Sequence, residues 1–350
     1  MDPYLSCMLC PRRCGVNRRG DAPSGGGLVS ARGPADDVGG ICGETAALHL
    51  ACASIHRGEE PPITGIGGSG AIFVSGCNLG CVFCQNHQIS RRFPDRRMAY
   101  GAGVTAREFA RICRALKERG AENINIVTGS HAVPVLAEYL KTAFTGPGDA
   151  LPVLWNSSAY ELPQTLELLS GIVDAFLPDL KTLDSGLSSR FFRAPDYPQT
   201  AKTAILKMLD MMKNRATASV AASPAGTGGG LPAVIVRHLV LPGFLESTRN
   251  VLYWFAENCA GIRGVELSLM FQYTPVPAGA AAHLPPGPPG TVSGDEYDTV
   301  LGWLSEYGIE DGYCQEPVPD SAGWLPDFEK ANPFPSELSL PVWHWREGFL

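Results

Sequence analysis

Short apolar segments alternate with segments of helical periodicity between about residue 70 and residue 275. Residues 71–74 form an apolar run of the kind found in buried strands, and five similar runs follow. The six predicted strands are residues 71–74, 124–127, 153–155, 175–177, 234–236 with 239–241, and 265–270. The predicted helices between them lie at about 105–120, 133–143, 161–170, 198–214 and 248–258. Strands separated by helices predict an α/β fold with a parallel sheet.

Periodicity leaves two architectures open for these six units. One is a closed or partly open βα barrel, and the other is an open doubly wound sheet. The first helix has a clear start and end, because Thr105 and Glu108 have the spacing of a capping box and Gly120 is a typical C-terminal residue.

The first 62 residues show little periodicity and carry four cysteines. We therefore predict a Cys-rich N-terminal extension over residues 1–62 and a barrel with a C-terminal extension over residues 63–350. Two stretches of low complexity, residues 216–230 and 278–290, are predicted to be surface loops.

Composition narrows the class of protein. The chain is 45% hydrophobic and 18% charged, which suits a packed core and argues against disorder. The net charge of −7 argues against a general nucleic-acid binder. Two arginine clusters leave a local basic groove open but are interpreted as solvated loops: Arg12, Arg13, Arg18 and Arg19, and Arg91, Arg92, Arg96 and Arg97.

The chain shows no pattern of a signal peptide and no apolar window of about 18 residues, so we expect a cytoplasmic protein with no membrane partner. Eleven cysteines are an odd number for a disulfide framework. In a reducing compartment they are expected to be thiols or metal ligands.

The most informative motif comes directly after the first predicted strand. Cys77, Cys81 and Cys84 have C-x3-C-x2-C spacing. Three thiolates this close in sequence can hold three irons of a cubane cluster, which leaves one iron open for catalysis. A zinc site and a cluster without radical chemistry are the alternatives.

The segment from Gly76 to Asn86 resembles the radical S-adenosylmethionine (radical SAM) superfamily, and within it the pyruvate formate-lyase activating enzymes. The resemblance implies a partial (β/α)6 radical-SAM barrel. It also implies a 4Fe–4S cluster that cleaves S-adenosylmethionine to a 5′-deoxyadenosyl radical, with Phe83 beside the adenine. The implied activity is that of a [formate-C-acetyltransferase]-activating enzyme, an oxidoreductase that acts on a glycyl radical enzyme. The implied electron donor is a flavodoxin or a ferredoxin.

The resemblance assigns ligand contacts to residues that follow the next three strands. They are Gly129, Ser130, His131, Asn156, Ser157, Asp179 and Lys181. The family's acidic residue is missing near Gly129. Each group also has a simpler interpretation, since His131 or Asn156 could cap a helix, and Asp179 with Lys181 could form a surface ion pair.

A second set of cysteines lies near the start of the chain. Cys7, Cys10 and Cys14 have C-x2-C-x3-C spacing, and Cys42 adds a fourth thiol. Four cysteines can hold a zinc ion or a second iron–sulfur cluster, and spacing does not decide between them. Free thiols in an ordered loop are the third interpretation. His56, Glu59 and Glu60 come just before the predicted barrel, where they could face the active site, but we interpret them as residues that cap a loop.

Three functions therefore compete. The leading hypothesis is a radical SAM activase of a glycyl radical enzyme, and the second is radical chemistry on a small molecule or RNA. The third is a non-catalytic iron–sulfur or zinc protein.

Overall fold

The computed structural model describes residues 2–19, 40–90, 100–144, 150–213, 230–276, 286–288, 290–317 and 325–350. The strands are β1 (Leu48–His56), β2 (Ser69–Val74), β3 (Ala102–Val104), β4 (Ile124–Val127), β5 (Val153–Ser157), β6 (Ala175–Pro178), β7 (Val234–Leu239), β8 (Val265–Met270), β9 (Gly312–Cys314), β10 (Ser339–His344) and β11 (Gly348–Phe349). The predicted loop at residues 216–230 and most of the one at 278–290 lie outside the described residues.

The helices lie mainly in the connections between the parallel strands. They are α1 (Pro61–Thr64), α2 (His87–Ser90), α3 (Ala106–Glu118), α4 (Val133–Ala143), α5 (Pro163–Leu166), α6 (Ser185–Phe192), α7 (Tyr197–Met212), α8 (Leu245–Asn258) and α9 (Gly294–Glu306), with a 3-10 turn at Glu167–Leu169. The hydroxyl of Thr105 accepts from the N–H of Glu108 at 3.2 Å, so the predicted N-cap of α3 is confirmed. No helix in the described part of the chain has the length and apolar content to cross a membrane.

All six predicted strands are present and pair in parallel. They form the row β2-β4-β5-β6-β7-β8, and β9 adds a seventh parallel strand at one end. Over the described residues the pairing runs from one edge to the other without closing, so the sheet is open, as in a partial barrel. The predicted α/β class is confirmed.

Strand β1 was not expected from the sequence. It lies antiparallel between β2 and β10, and eight of its nine residues are buried. A strand covered on both faces lacks the alternation of apolar and polar residues that signals a half-exposed strand, which explains the omission. Residues 48–56 fall within the predicted N-terminal extension, and the division at residue 62 stays a prediction.

Alternate residues of the parallel strands face the helices and the inner face of the sheet. Trp155 of β5 packs in the main core with the helices, while its neighbour Leu154 packs on the inner face against Ile63 of α1. Helix α1 thus covers one part of the inner face. Phe334 covers another part, since its ring lies 5.1 Å from that of Phe73 on β2.

Candidate functional site

The loop that carries Cys77, Cys81 and Cys84 begins where β2 ends. Three backbone bonds hold it: the N–H of Gly76 donates to Ile89 (2.7 Å), that of Val82 to Phe191 (2.9 Å), and that of Cys84 to Cys81 (3.2 Å). The loop is therefore anchored to α2 and α6 at the carboxyl end of a parallel strand, where α/β folds place their ligands.

Two of the three thiols of this loop, those of Cys77 and Cys84, have hydrogen-bond donors beside them. The N–H of Leu79 donates to Sγ of Cys77 at 3.4 Å, and Oγ of Ser90 donates to Sγ of Cys84 at 3.4 Å. Burial raises the pKa of Cys77, and backbone N–H groups and the Lys181 cation act in the opposite direction. Donors of this kind stabilise thiolates and the sulfurs of iron–sulfur clusters.

Asp179 and Lys181 follow β6 and form an ion pair of 2.6 Å, as their spacing predicted. Tyr197 fixes the backbone of this turn, because its hydroxyl accepts from the N–H of Lys181 (2.9 Å) and donates to the carbonyl of Asp179 (2.7 Å). Burial disfavours the charge on Lys181, but Asp179 and the nearby Cys81 outweigh it and raise the pKa of Lys181. Lys181 is thus a cation facing the cysteine loop.

A cavity of about 500 Å³ lies on the inner face of the sheet, next to this loop. Its polar lining includes Gln85, Asn86, Asn156, Gln272 and Gln315. Cavities of this size with a few converging polar groups are typical ligand sites.

A buried charge cluster lies in the wall of the cavity. The Nε of Arg237 on β7 donates to Glu60 at 2.9 Å, and its Nη2 donates to Glu59 at 2.6 Å and to the second oxygen of Glu60. Asn125 of β4 donates to Glu59 at 3.1 Å. Burial opposes ionisation of Glu60, but Arg237 reverses the effect and lowers the pKa of Glu60. Two carboxylates therefore surround one guanidinium.

For His56, Glu59 and Glu60 the structure favours the interpretation that they face a ligand site over the one that they only cap a loop. His56 does accept from the N–H of Gly58 at 3.2 Å, but all three residues line the cavity. The sequence held one signal for this cluster. Asn125 lies among the apolar residues of β4, and Arg237 follows three apolar residues of β7. A buried polar side chain in such a strand needs a partner.

Asn156 and Ser157, two of the predicted ligand residues, lie on opposite faces of the sheet. Asn156 lines the cavity. Ser157, the next residue of β5, faces the other side of the sheet, and its hydroxyl donates to Glu161 at 2.7 Å. Phe83 is buried and packs edge-on against Phe191, at a ring distance of 5.9 Å.

Residues 129–131, which follow β4, are tightly packed and reach a second, smaller cavity. Gly129 has no room for a side chain, since a Cβ would lie 2.6 Å from the ring of Trp155. Ser130 and His131 are buried, and His131 borders a separate small cavity that Cys7, Cys10, Cys14 and Cys42 also line. The roles of Phe83, Gly129, Ser130, His131 and Ser157 toward S-adenosylmethionine stay predictions.

The comparison with protein families bears on this site directly. Residues 71–221 match the model of the Radical SAM superfamily. The chain carries a radical SAM domain. The matched residues begin in β2 and include the cysteine loop and the Asp179–Lys181 pair. Radical SAM enzymes bind S-adenosylmethionine and use a 4Fe–4S cluster for radical chemistry.

Other similar proteins span different shares of this chain. It is 27% identical over 273 residues to "Uncharacterized protein MJ0674" of Methanocaldococcus jannaschii, which covers 78% of this chain and 67% of that protein. Solved structures with similar folds include SuiB of Streptococcus suis bound to its precursor peptide SuiA, at 13% identity and a TM-score of 0.42. That match covers 69% of this chain and 46% of SuiB, so the chain spans about half of SuiB.

A further structure is a radical SAM methyltransferase from Sphaerobacter thermophilus. It is 14% identical with a TM-score of 0.47, and the match covers 73% of this chain and 68% of that one.

Proposed function

We propose that Cys77, Cys81 and Cys84 of this radical SAM domain hold the 4Fe–4S cluster and that the cavity beside them receives the substrate. The observation that supports this best is the C-x3-C-x2-C loop at the carboxyl end of the first parallel strand, within the matched region. When bound, the cluster supplies an electron that cleaves S-adenosylmethionine to the radical that takes a hydrogen atom from the substrate.

The side chains around the loop have complementary tasks in this proposal. The N–H of Leu79 and the hydroxyl of Ser90 stabilise charge on the cysteine sulfurs. Lys181 adds a positive charge that offsets the negative charge of a thiolate-bound cluster. Asp179, which pairs with Lys181, holds that cation in place.

The test replaces Cys77, Cys81 and Cys84 together by alanine. Anaerobically reconstituted wild-type protein is expected to show a 4Fe–4S signal that changes with S-adenosylmethionine, and to form 5′-deoxyadenosine. The triple variant loses both. Cys113→Ala is the matched control, because Cys113 is a buried cysteine of α3 in the main core. Cleavage activity that survives in the triple variant contradicts the proposal.

For the substrate, we propose a backbone glycine of a glycyl radical enzyme, with reduced flavodoxin or ferredoxin as the electron donor. The support is the resemblance of two segments to the activating enzymes: C-V-F-C-Q-N over residues 81–86, and Asp179-Leu180-Lys181. A glycyl radical is a suitable product because the flanking amides stabilise it.

A small polar molecule is the second candidate, and the cavity favours it. Pro326, Phe334 and Leu338 of the C-terminal segment line the cavity together with the strands, so the space is partly enclosed by this chain itself. Glu59 and Arg237 place charge in its wall, which suits a compact polar ligand better than an apolar one.

One experiment separates the two candidates. Reduced enzyme and S-adenosylmethionine are mixed with candidate glycyl radical enzymes from the same cell, and electron paramagnetic resonance is recorded. The activase proposal expects the doublet of a glycyl radical. If no candidate gives the doublet while a small metabolite consumes stoichiometric S-adenosylmethionine, the small-molecule proposal replaces it.

A further inference from the structure

The four N-terminal cysteines come together at one place in the fold. Their two segments are far apart in sequence, yet all four thiols line one small cavity: Cys7, Cys10, Cys14 and Cys42. Three backbone bonds shape the first segment, including the N–H of Cys7 donating to Val16 (2.9 Å) and the N–H of Gly15 donating to Cys7 (2.9 Å). The first segment thus forms a hairpin-like loop that places the thiols of Cys7, Cys10 and Cys14 close to that of Cys42.

A buried positive charge lies against this cavity. Arg18 is only 2% exposed, and its guanidinium donates to the carbonyls of Glu44 (2.9 Å), Thr45 (2.7 Å) and His131 (2.8 Å). Its remaining hydrogen bond reaches Sγ of Cys7 at 3.7 Å. These partners are neutral unless the cysteines are ionised. A buried guanidinium needs negative charge nearby, and metal-bound thiolates provide it.

His131 supplies another polar group at the same cavity. Its ring is buried, and its Nδ1 has no hydrogen-bond partner among the described residues. A buried polar atom without a partner costs about 1–3 kcal/mol, so such an atom in a native protein needs an explanation. His131 lines the cavity together with the four cysteines, so a group bound there lies beside this residue.

The arrangement of the thiols bears on the kind of metal centre. A single zinc ion needs its four ligands to meet at one point, with each sulfur about 2.3 Å from the metal. No three His, Cys, Asp or Glu side chains of the described residues converge in this way. An iron–sulfur cluster binds each cysteine through a separate iron, so its four sulfurs do not have to meet at one point.

The segments that form this cavity also contact the loop of Cys77. Gly76 lies against the second N-terminal segment, since a Cβ there would be 2.9 Å from the carbonyl oxygen of Cys42. Arg12, between Cys10 and Cys14, donates to the carbonyls of Asn78 (2.9 Å) and Leu79 (2.9 Å). The two groups of cysteines are therefore in direct contact through their loops.

We propose that Cys7, Cys10, Cys14 and Cys42 hold a second iron–sulfur cluster, seated directly beside the loop of Cys77, Cys81 and Cys84. Four thiolates complete all its iron positions, so this cluster has no open coordination position for S-adenosylmethionine. The proposal does not depend on the assignment of the first cluster.

The test counts iron, sulfide and zinc in three forms of the full chain. We expect about eight irons in the wild type and about four in either variant: Cys77→Ala/Cys81→Ala/Cys84→Ala, or Cys7→Ser/Cys10→Ser/Cys14→Ser/Cys42→Ser. The signal of the first variant is expected to be unaffected by S-adenosylmethionine, whereas that of the second responds to it.

Each other outcome overturns one assignment. About one zinc and no iron in the first variant overturns the cluster in favour of a structural zinc site, and neither metal overturns metal binding altogether. If the wild type holds about four irons that are lost only from the second variant, this inference stands and the cluster on Cys77 fails. If one variant does not fold, a wild-type count of about eight irons still supports both clusters. If the count is about four, the variant that folds decides: iron lost from the Cys77/Cys81/Cys84 variant, or retained in the Cys7/Cys10/Cys14/Cys42 variant, overturns the second cluster.

Discussion

Gly76 and Gly80 have nearly the same backbone conformation, with φ of +83° and +79°, but different surroundings. A Cβ at Gly76 meets the carbonyl of Cys42 at 2.9 Å and Cγ of Glu44 at a shorter distance, whereas a Cβ at Gly80 meets nothing within 4 Å. Both substitutions by alanine incur the strain of positive φ, about 1–2 kcal/mol. Only Gly76→Ala also pushes the N-terminal segment away from the cysteine loop.

We therefore predict that Gly76→Ala lowers the melting temperature and the iron content much more than Gly80→Ala does. The excess destabilisation should reach at least about 2 kcal/mol, in the range of overpacking in a close-packed site. Thermal unfolding and iron analysis of both variants measure it. Equal effects of the two substitutions contradict a tight contact between Cys42 and the loop.

Lys181 gives a second prediction for a single residue. Replacing Lys181 by methionine removes a cation that faces Cys77 and Cys81. Reduction adds negative charge to a cluster, so loss of the cation makes reduction harder. We expect the potential of the cluster on Cys77 to become more negative by about 60 mV, equivalent to about 1.4 kcal/mol for one electron.

A redox titration followed by electron paramagnetic resonance measures this shift. Lys207→Met is the matched control, because Lys207 pairs with Glu167 on the surface at 2.8 Å. An unchanged potential in Lys181→Met shows that Lys181 does not act on the cluster.

The chemistry of single residues was partly visible in the sequence. The spacing of the cysteines was readable because it is local. The environment of Arg18 was not, because its partners Glu44 and His131 are distant in sequence, and the expected solvated loop is wrong for this buried side chain. The second arginine cluster, Arg91, Arg92, Arg96 and Arg97, lies outside the described residues.

Helices and strands were predicted correctly where one hydrophobic pattern extends over the whole element. The six parallel strands are buried apolar runs, and α3 has both a cap and an amphipathic face. Short or weakly patterned elements were not predicted. Helix α6 has only eight residues, yet its Phe191 and Phe192 pack against Phe83 of the cysteine loop.

The side chain of His238 links β7 to the segment after β6 and to α8, and its titration makes the stability of the fold depend on pH. From β7 its ring contacts the carbonyl of Leu180 after β6 (2.7 Å) and the hydroxyl of Thr248 on α8 (3.0 Å). A neutral ring satisfies both, as donor to the carbonyl and acceptor from the hydroxyl. Burial lowers the pKa of His238 to about 4. Because the folded pKa is below the unfolded value, stability is lost as pH falls below about 6.5.

We predict that His238→Asn reduces this loss. Between pH 7 and pH 4.5 the free energy of unfolding of the wild type should fall by about 2 kcal/mol more than that of the variant. Urea unfolding at the two pH values gives the comparison. Parallel pH dependence in both proteins means that His238 titrates normally in the folded state.

For the whole molecule, the cavity is built by segments that the sequence gives no reason to combine. Residues 58–61 follow β1, residues 312–315 form and follow β9, and Pro326, Phe334 and Leu338 come from the C-terminal part, yet all line the same space. Each segment is short. The first and the last depend on the pairing of β1 with β2 and β10, whereas residues 312–315 depend on the pairing of β9 with β8. Long-range pairing of this kind has no local signal in one sequence.

This dependence on β1 leads to a prediction about truncated chains. A chain of residues 63–350 lacks β1 and leaves β2 and β10 without the strand between them. It also lacks Glu59 and Glu60, so Arg237 becomes a buried cation without its two carboxylates. Breaking a buried ion pair costs about 3–5 kcal/mol, and total stability is only about 5–15 kcal/mol. We expect this chain not to fold.

A chain of residues 44–350 is the control, because it lacks the four N-terminal cysteines and Arg12 but retains β1, Glu59 and Glu60. It should unfold cooperatively at a lower temperature than the full chain, since the contacts of Arg12 with the cysteine loop are lost. Circular dichroism and thermal unfolding of both truncated chains make the comparison. If residues 63–350 unfold cooperatively at the same temperature as residues 44–350, β1 is dispensable and the predicted division at residue 62 marks a true domain boundary.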